Sequence, residues 1–144
     1  EARADGQKLR NRGARVWHGV DATTLDQSFA PKSFDTIIFQ FPNAGSRKAE
    51  KGRTKNFILI RNFLQSSGRP LRNNARVLIT TIDSPYYRGS FQFFEAAEVT
   101  GYHPPAIYPF FPKHFPGYVH TNTHNGDSAL TGQTACQTWV FSRR

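Results

Sequence analysis

Between residues 34 and 41 the chain reads FDTIIFQF, and Pro42-Asn43-Ala44-Gly45 follows at once. A run so apolar, β-branched and aromatic is how a strand buried in a parallel sheet reads. Proline lacks an N–H and fixes its own φ, so the ladder stops at residue 42. A strand covered on both faces needs helices beside it, and the sequence supplies them in alternation. In 56–67, Phe57, Ile60 and Leu64 share one side while Arg61, Asn62 and Gln65 share the other, which is helical spacing. Pro70 and Asn73-Asn74 break that helix, and 75–82 (ARVLITTI) is a second buried strand. Residues 89–100 predict a short helix with Phe91, Phe94 and Ala97 at intervals of three, stopped by Gly101. The last strands fall at 107–111 and 138–141, and a Gly/His/Thr/Asn-rich loop, 112–135, separates them. Upstream, 1–12 reads as a polar surface helix closed by Gly13, 15–20 (RVWHGV) as a short strand, and 26–33 as a loop with Pro31. The alternation predicts an α/β fold with a mainly parallel sheet and a C-terminal antiparallel edge hairpin. No linker or repeat divides residues 1–144, so the chain reads as a single domain.

The charge is concentrated. Of a net +9, the stretch 46–76 contributes nine basic residues against the single acid Glu50, while 77–144 balances to zero. A patch of this kind is the electrostatic footprint of a polyanion binder, and it is also how a solvated, solubilising face looks. A single Cys136 excludes an internal disulfide framework and a cysteine-rich zinc site. No run of about 18 apolar residues exists to span a membrane, and no signal-peptide pattern opens the chain. It begins Glu-Ala-Arg-Ala without methionine, which reads as a piece of something longer.

In a doubly wound sheet, ligands bind beyond the carboxyl ends of the strands. Three such ends carry candidates. At Val20-Asp21-Ala22-Thr23 an acid can accept hydrogen bonds from a ribose or an adenine amino group, or it can cap a turn. At Gln40-Phe41-Pro42-Asn43 an aromatic can stack on a base while amides read its edge. At Thr81-Ile82-Asp83-Ser84-Pro85 the acid is either a site residue or an ordinary turn acid. His120 and His124, four apart, lie among Pro, Gly, Thr and Asn residues that argue against a helix, so no metal site is predicted. There is no Gly-x-Ser-x-Gly elbow, and no two of the eleven glycines form a Gly-x-Gly pair, so a dinucleotide or cofactor phosphate loop is missing.

With HGVDAT upstream, FDTIIFQFPNAG in the middle and FPGYVHTNTH downstream, the sequence resembles the Rossmann-like class I methyltransferases typified by the yeast-type 25S ribosomal RNA uridine-N3 methyltransferase, as a bacterial-like member. The resemblance implies an S-adenosylmethionine-dependent enzyme acting on RNA. It places Asp21 and Ala22 against the adenine of the donor, and Gln40, Phe41, Pro42 and Asn43 between methyl donor and target base. Tyr118 and His120 would face the substrate. Family members typically carry Asn-Phe-Pro-His where this chain has Gln-Phe-Pro-Asn. Arg47, Lys48, Lys51, Arg53 and Lys55, within the basic stretch 46–76, would hold RNA phosphates. The resemblance further implies that the chain is the C-terminal two-thirds of the domain, lacking the cofactor loop and the first two strands. A preceding segment or another chain would then complete the sheet beside strand 34–41, and the location would be cytoplasmic. The reading from another class is a non-catalytic Rossmann-like binding module of a larger, effector-type protein.

Overall fold

The computed structural model describes residues 2–45, 49–50, 53–117 and 135–144. Helix α1 (Ala2–Asn11) ends at Gly13, whose φ of +91° suits a residue without Cβ. Its Gly6 lets the following segment close in, since a Cβ there would stand 3.3 Å from the His18 ring. After the single turn α2 (Leu25–Ser28) comes β1 (Phe34–Gln40), then a two-residue hairpin, β2 (Ala49–Glu50) with β3 (Arg53–Thr54). Next are α3 (Lys55–Ser67), β4 (Leu71–Ile82), α4 (Pro85–Phe91), α5 (Phe93–Thr100), β5 (Ala106–Phe110), a 3₁₀ turn (Pro112–His114) and β6 (Cys136–Ser142).

The main sheet has the order β1-β4-β6-β5. Strands β1 and β4 pair in parallel, and β6 runs antiparallel to both β4 and β5. Three strands therefore point one way, and their carboxyl ends, Gln40, Ile82 and Phe110, form one rim with Cys136 at the start of β6. The predicted closing antiparallel pair is present, although β6 lies inside the sheet and β5 takes the edge. The other edge is β1, and no described strand pairs with its outer side.

Alternation sends Ile37, Phe39, Val77, Ile79, Trp139 and Phe141 toward α3 and α5. There the Phe39 ring meets Phe63 edge-on at 4.7 Å, and Phe93 packs on Trp139 at 4.5 Å. Ile60, Leu64, Val77, Ile79, Phe91 and Phe141 are fully buried in this layer. Tyr102, behind α5, donates its hydroxyl to the Leu64 carbonyl at 2.8 Å, closing an orphan acceptor in the last turn of α3. Burial pushes that phenol up to about 12. The opposite face of the sheet carries Ile38 and Tyr108, each 57% exposed.

The structure corrects four local expectations. Residues 15–20 form no strand, because a strand exists only through pairing and no described strand runs beside them; the Arg10 guanidinium takes the Val16 carbonyl instead. Asn73-Asn74 does not delay β4 to residue 75. Asn74 turns left-handed (φ +64°) and absorbs a register shift against β1 as a bulge. The helix of 89–100 is two helices, broken where Gln92 adopts φ +49°. Loop 112–135 opens with the 3₁₀ turn, and its residues 118–134 lie outside those described.

Candidate active site

The Gln40–Asn43 rim is shaped by one unusual backbone angle. Phe41 N–H still donates to the Thr80 carbonyl at 2.8 Å, extending the ladder by one bond. Its φ of +50° then turns the chain left-handed, a conformation that costs a bulky L-residue about 1–2 kcal/mol. The turn swings the ring across the rim to meet Phe110, with centroids 6.1 Å apart, and Phe110 in turn stacks on Phe115 at 5.3 Å. Strain held at a strand end by its surroundings is characteristic of binding and catalytic loops.

What holds it is a buried amide that sequence reasoning passed over as part of a helix. Asn56, in the first turn of α3, is 1% exposed. Its Oδ1 accepts from Ala44 N–H at 2.7 Å, and its Nδ2 donates to Ser90 Oγ at 2.9 Å. Thr54 caps the same helix by accepting from Phe57 N–H at 3.0 Å, and its hydroxyl donates to the Ser90 carbonyl. The site loop, the start of α3 and the end of α4 thus meet at one polar node. The signal for it was an Asn two residues after a Thr at a helix start, visible only as a cap pattern.

Pro42 is buried in this arrangement, while Gln40 and Asn43 are exposed. Asn43 Oδ1 accepts from Gly45 N–H at 2.8 Å, leaving its amide nitrogen outward, and Gln40 makes no side-chain hydrogen bond among the described residues. On the same rim Asp83 is paired with Arg88 of α4, and its N–H donates to Ala135. The Cys136 thiol is raised by burial and, secondarily, by the charge of Asp83, which makes it a poor nucleophile.

Asp21 and Ala22 are elsewhere. Both Thr23 N–H (2.8 Å) and Thr23 Oγ1 (2.7 Å) bond to Asp21 Oδ1, the backbone bond first among the causes that hold its carboxyl below the usual range. The Ala22 carbonyl accepts from Ser66 Oγ at 2.9 Å, in the last turn of α3. Ala44 is tied to Asn56 in the first turn of that 13-residue helix, about 15 Å from Ser66. The two groups placed at one pocket by resemblance therefore sit against opposite ends of α3, and Asp21 acts as a turn cap.

The predicted phosphate-binding cations divide as well. Arg53 is paired with Glu95, bonds Gln92 at 3.3 Å and lies 4.8 Å over the Phe57 ring. Lys55 is exposed at the start of α3. Arg47, Lys48, Lys51, Tyr118 and His120 lie outside the described residues. Arg69, Arg72 and Arg76 come after α3, at the far end of the sheet, so the stretch 46–76 is two surfaces in space.

One family profile, that of rRNA (uridine-N3-)-methyltransferase BTM5-like, matches residues 1–122. The chain belongs to the BMT5-like family. Among curated relatives, the human ferredoxin-fold anticodon-binding domain-containing protein 1 is 34% identical over 95% of this chain, and its mouse homolog 31% over 95%. The chain spans about a quarter of the length of those two relatives, 23% of each. A solved structure, Thermus thermophilus TTHA0409 complexed with S-adenosyl-L-methionine, aligns with 86% of this chain and 53% of its own at TM-score 0.48 and 13% identity.

Proposed function

We propose that this chain carries the target-facing part of an S-adenosylmethionine-dependent RNA methyltransferase acting at uridine N3. The observation that carries the reading is the left-handed Phe41 turn, held by Asn56, at the carboxyl end of β1 in a BMT5-like chain. S-adenosylmethionine supplies an electrophilic methyl group. The described residues fit the receiving side of that transfer. Gln40 and the outward amide of Asn43 can hydrogen-bond the carbonyls that flank an imide nitrogen, and the Phe41–Phe110 pair offers a base an aromatic wall. Both polar groups are amides, and Asp83 is committed to Arg88. None of these described groups is a base, so the N3 proton passes to water as the N3–methyl bond forms and the sulfur–methyl bond breaks, and the rate comes from holding the base in line. The adenosyl side is left to residues beyond this rim, because Asp21, whose Oδ2 takes no hydrogen bond among the described residues, lies at the other end of α3. A preceding segment or another chain pairing with the open edge of β1 completes the sheet there.

The test uses the full-length protein, a labelled methyl donor and uridine-containing RNA. Asn43→Ala abolishes methyl transfer and leaves donor affinity unchanged; full activity would remove Asn43 from the site. The position of Asp21 favours a second reading, a binding module without catalysis. Calorimetry with S-adenosylmethionine separates the two: binding that S-adenosylhomocysteine competes away supports the enzyme, and silence the module.

A further inference from the structure

The end of the sheet opposite the Gln40–Asn43 rim gathers cations from three distant parts of the sequence. The turn 68–70 between α3 and β4 is its centre. The Arg69 carbonyl accepts from Lys32 N–H at 3.0 Å, and the Pro70 carbonyl accepts from Ser33 N–H at 2.7 Å. Arg72 Nε donates back to the Lys32 carbonyl at 3.0 Å, while its Nη1 reaches Asp35 Oδ2 at 3.0 Å. From the other side, Arg143 Nη1 donates to the Gly68 carbonyl at 2.6 Å. Arg76 stands opposite Ser142 in the β4–β6 register, next to Arg143. Lys32, Arg69, Arg72, Arg76 and Arg143 are all exposed. The acid within this set is Asp35, already paired; Asp21 and Asp26 lie on the α2 flank of α3, and Asp21 is turned to Thr23. Each guanidinium has five N–H donors, of which Arg72 spends two and Arg143 one on the protein, so most remain available to an anion.

Resting on the reading of the chain as an RNA methyltransferase, we propose that this amino-end cluster is a second RNA contact, gripping the sugar–phosphate backbone at a distance from the target base. Strand β1 is seven residues long, so rim and cluster are about 20 Å apart. At 3.4 Å per nucleotide along a helical strand, that is about six nucleotides. The rim selects the base, and the cluster sets how much flanking RNA is needed.

The experiment measures binding of full-length protein to oligouridylates of about 3 and 20 nucleotides, the shorter too short to span from rim to cluster, over a range of salt. Arg69→Gln with Arg143→Gln removes two phosphate contacts. The salt slope for the 20-mer becomes shallower by about 1.4 to 1.8, and affinity at 0.1 M salt falls about 25-fold or more. Binding of the short oligouridylate at the rim is unchanged. Arg69→Lys with Arg143→Lys restores the 20-mer slope, because a phosphate reads charge, whereas a carbonyl-capping role would not be rescued in this way. An unchanged 20-mer slope, or an equal loss on both lengths, overturns the second contact while leaving the rim reading intact. Wild-type protein that binds neither length overturns both.

Discussion

Replacing Asn56 by leucine tests whether the Phe41 turn is held from beneath. Leucine matches asparagine in size, so the change leaves little cavity and removes two hydrogen bonds from a residue 1% exposed. The Ala44 N–H loses its acceptor, but Ala44 itself is exposed and water can replace part of that bond, a cost of about 1 kcal/mol. Ser90 is buried, and its hydroxyl loses a donor, about 1–2 kcal/mol more. The sum, about 2–3 kcal/mol, lowers the melting temperature by roughly 6–9 °C for a domain of this size. Equilibrium urea unfolding measures it, and the double variant with Ser90→Ala shows a coupling energy of about 1 kcal/mol between the two positions. The Ala44 amide also loses its protection in hydrogen exchange, a local signature that general destabilisation does not mimic under native conditions. Stability within 0.5 kcal/mol of wild type together with a still-protected Ala44 amide would refute the strut.

Three further predictions follow from other parts of the fold. Tyr102 has a folded pKa of about 12 against an ordinary value of 10.0, so its neutral form contributes stability that is complete below pH 10 and is lost as pH rises through 12; alkaline unfolding curves show a loss of up to about 3 kcal/mol, and Tyr102→Phe removes that pH dependence. Gly101 ends α5 at φ +83°, and Gly101→Ala costs about 1 kcal/mol in urea unfolding even though no atom lies within 4 Å of the added Cβ. Ile38, 57% exposed on the edge strand, accepts lysine with stability unchanged within about 0.5 kcal/mol, and sedimentation shows Ile38→Lys associating less than wild type at high concentration.

The strands around Phe34 and Val77 were legible from their β-branched and aromatic runs, and α3 because Phe57, Ile60 and Leu64 repeat with the helical period. The expected burial on both faces fails for β1, whose Ile38 is 57% exposed on the face that no described helix covers. What escaped was set by single backbone angles or by partners far along the chain. Asn74 and Gln92 both take left-handed φ values that a propensity reading assigns to breaks, yet one makes a bulge inside a strand and the other joins two helices. The run RVWHGV has the composition of a strand, but composition cannot supply the neighbour that a ladder requires. At the site, Phe41, Pro42 and Asn43 were readable as a strand end. The buried Asn56, 12 positions past Ala44, was not, because its role lies in where both ends of one amide point. Charge counting found the excess in 46–76 and missed Arg143, which balances acids in its own segment yet joins Gly68 across 75 positions.

The internal place of β6 has a consequence for how the chain assembles during synthesis. Strands β1 and β4 and the helix between them can pair as soon as they emerge, but among the described strands β5 has no hydrogen-bonding neighbour except β6. Until a ribosome has delivered Cys136–Ser142, Ala106–Phe110 must wait unpaired, and Trp139 and Phe141 are absent from the layer that Phe93 needs. The Phe110 end of the rim is consequently the last to take shape, so a nascent chain holds half of its nucleobase wall before it holds the other half.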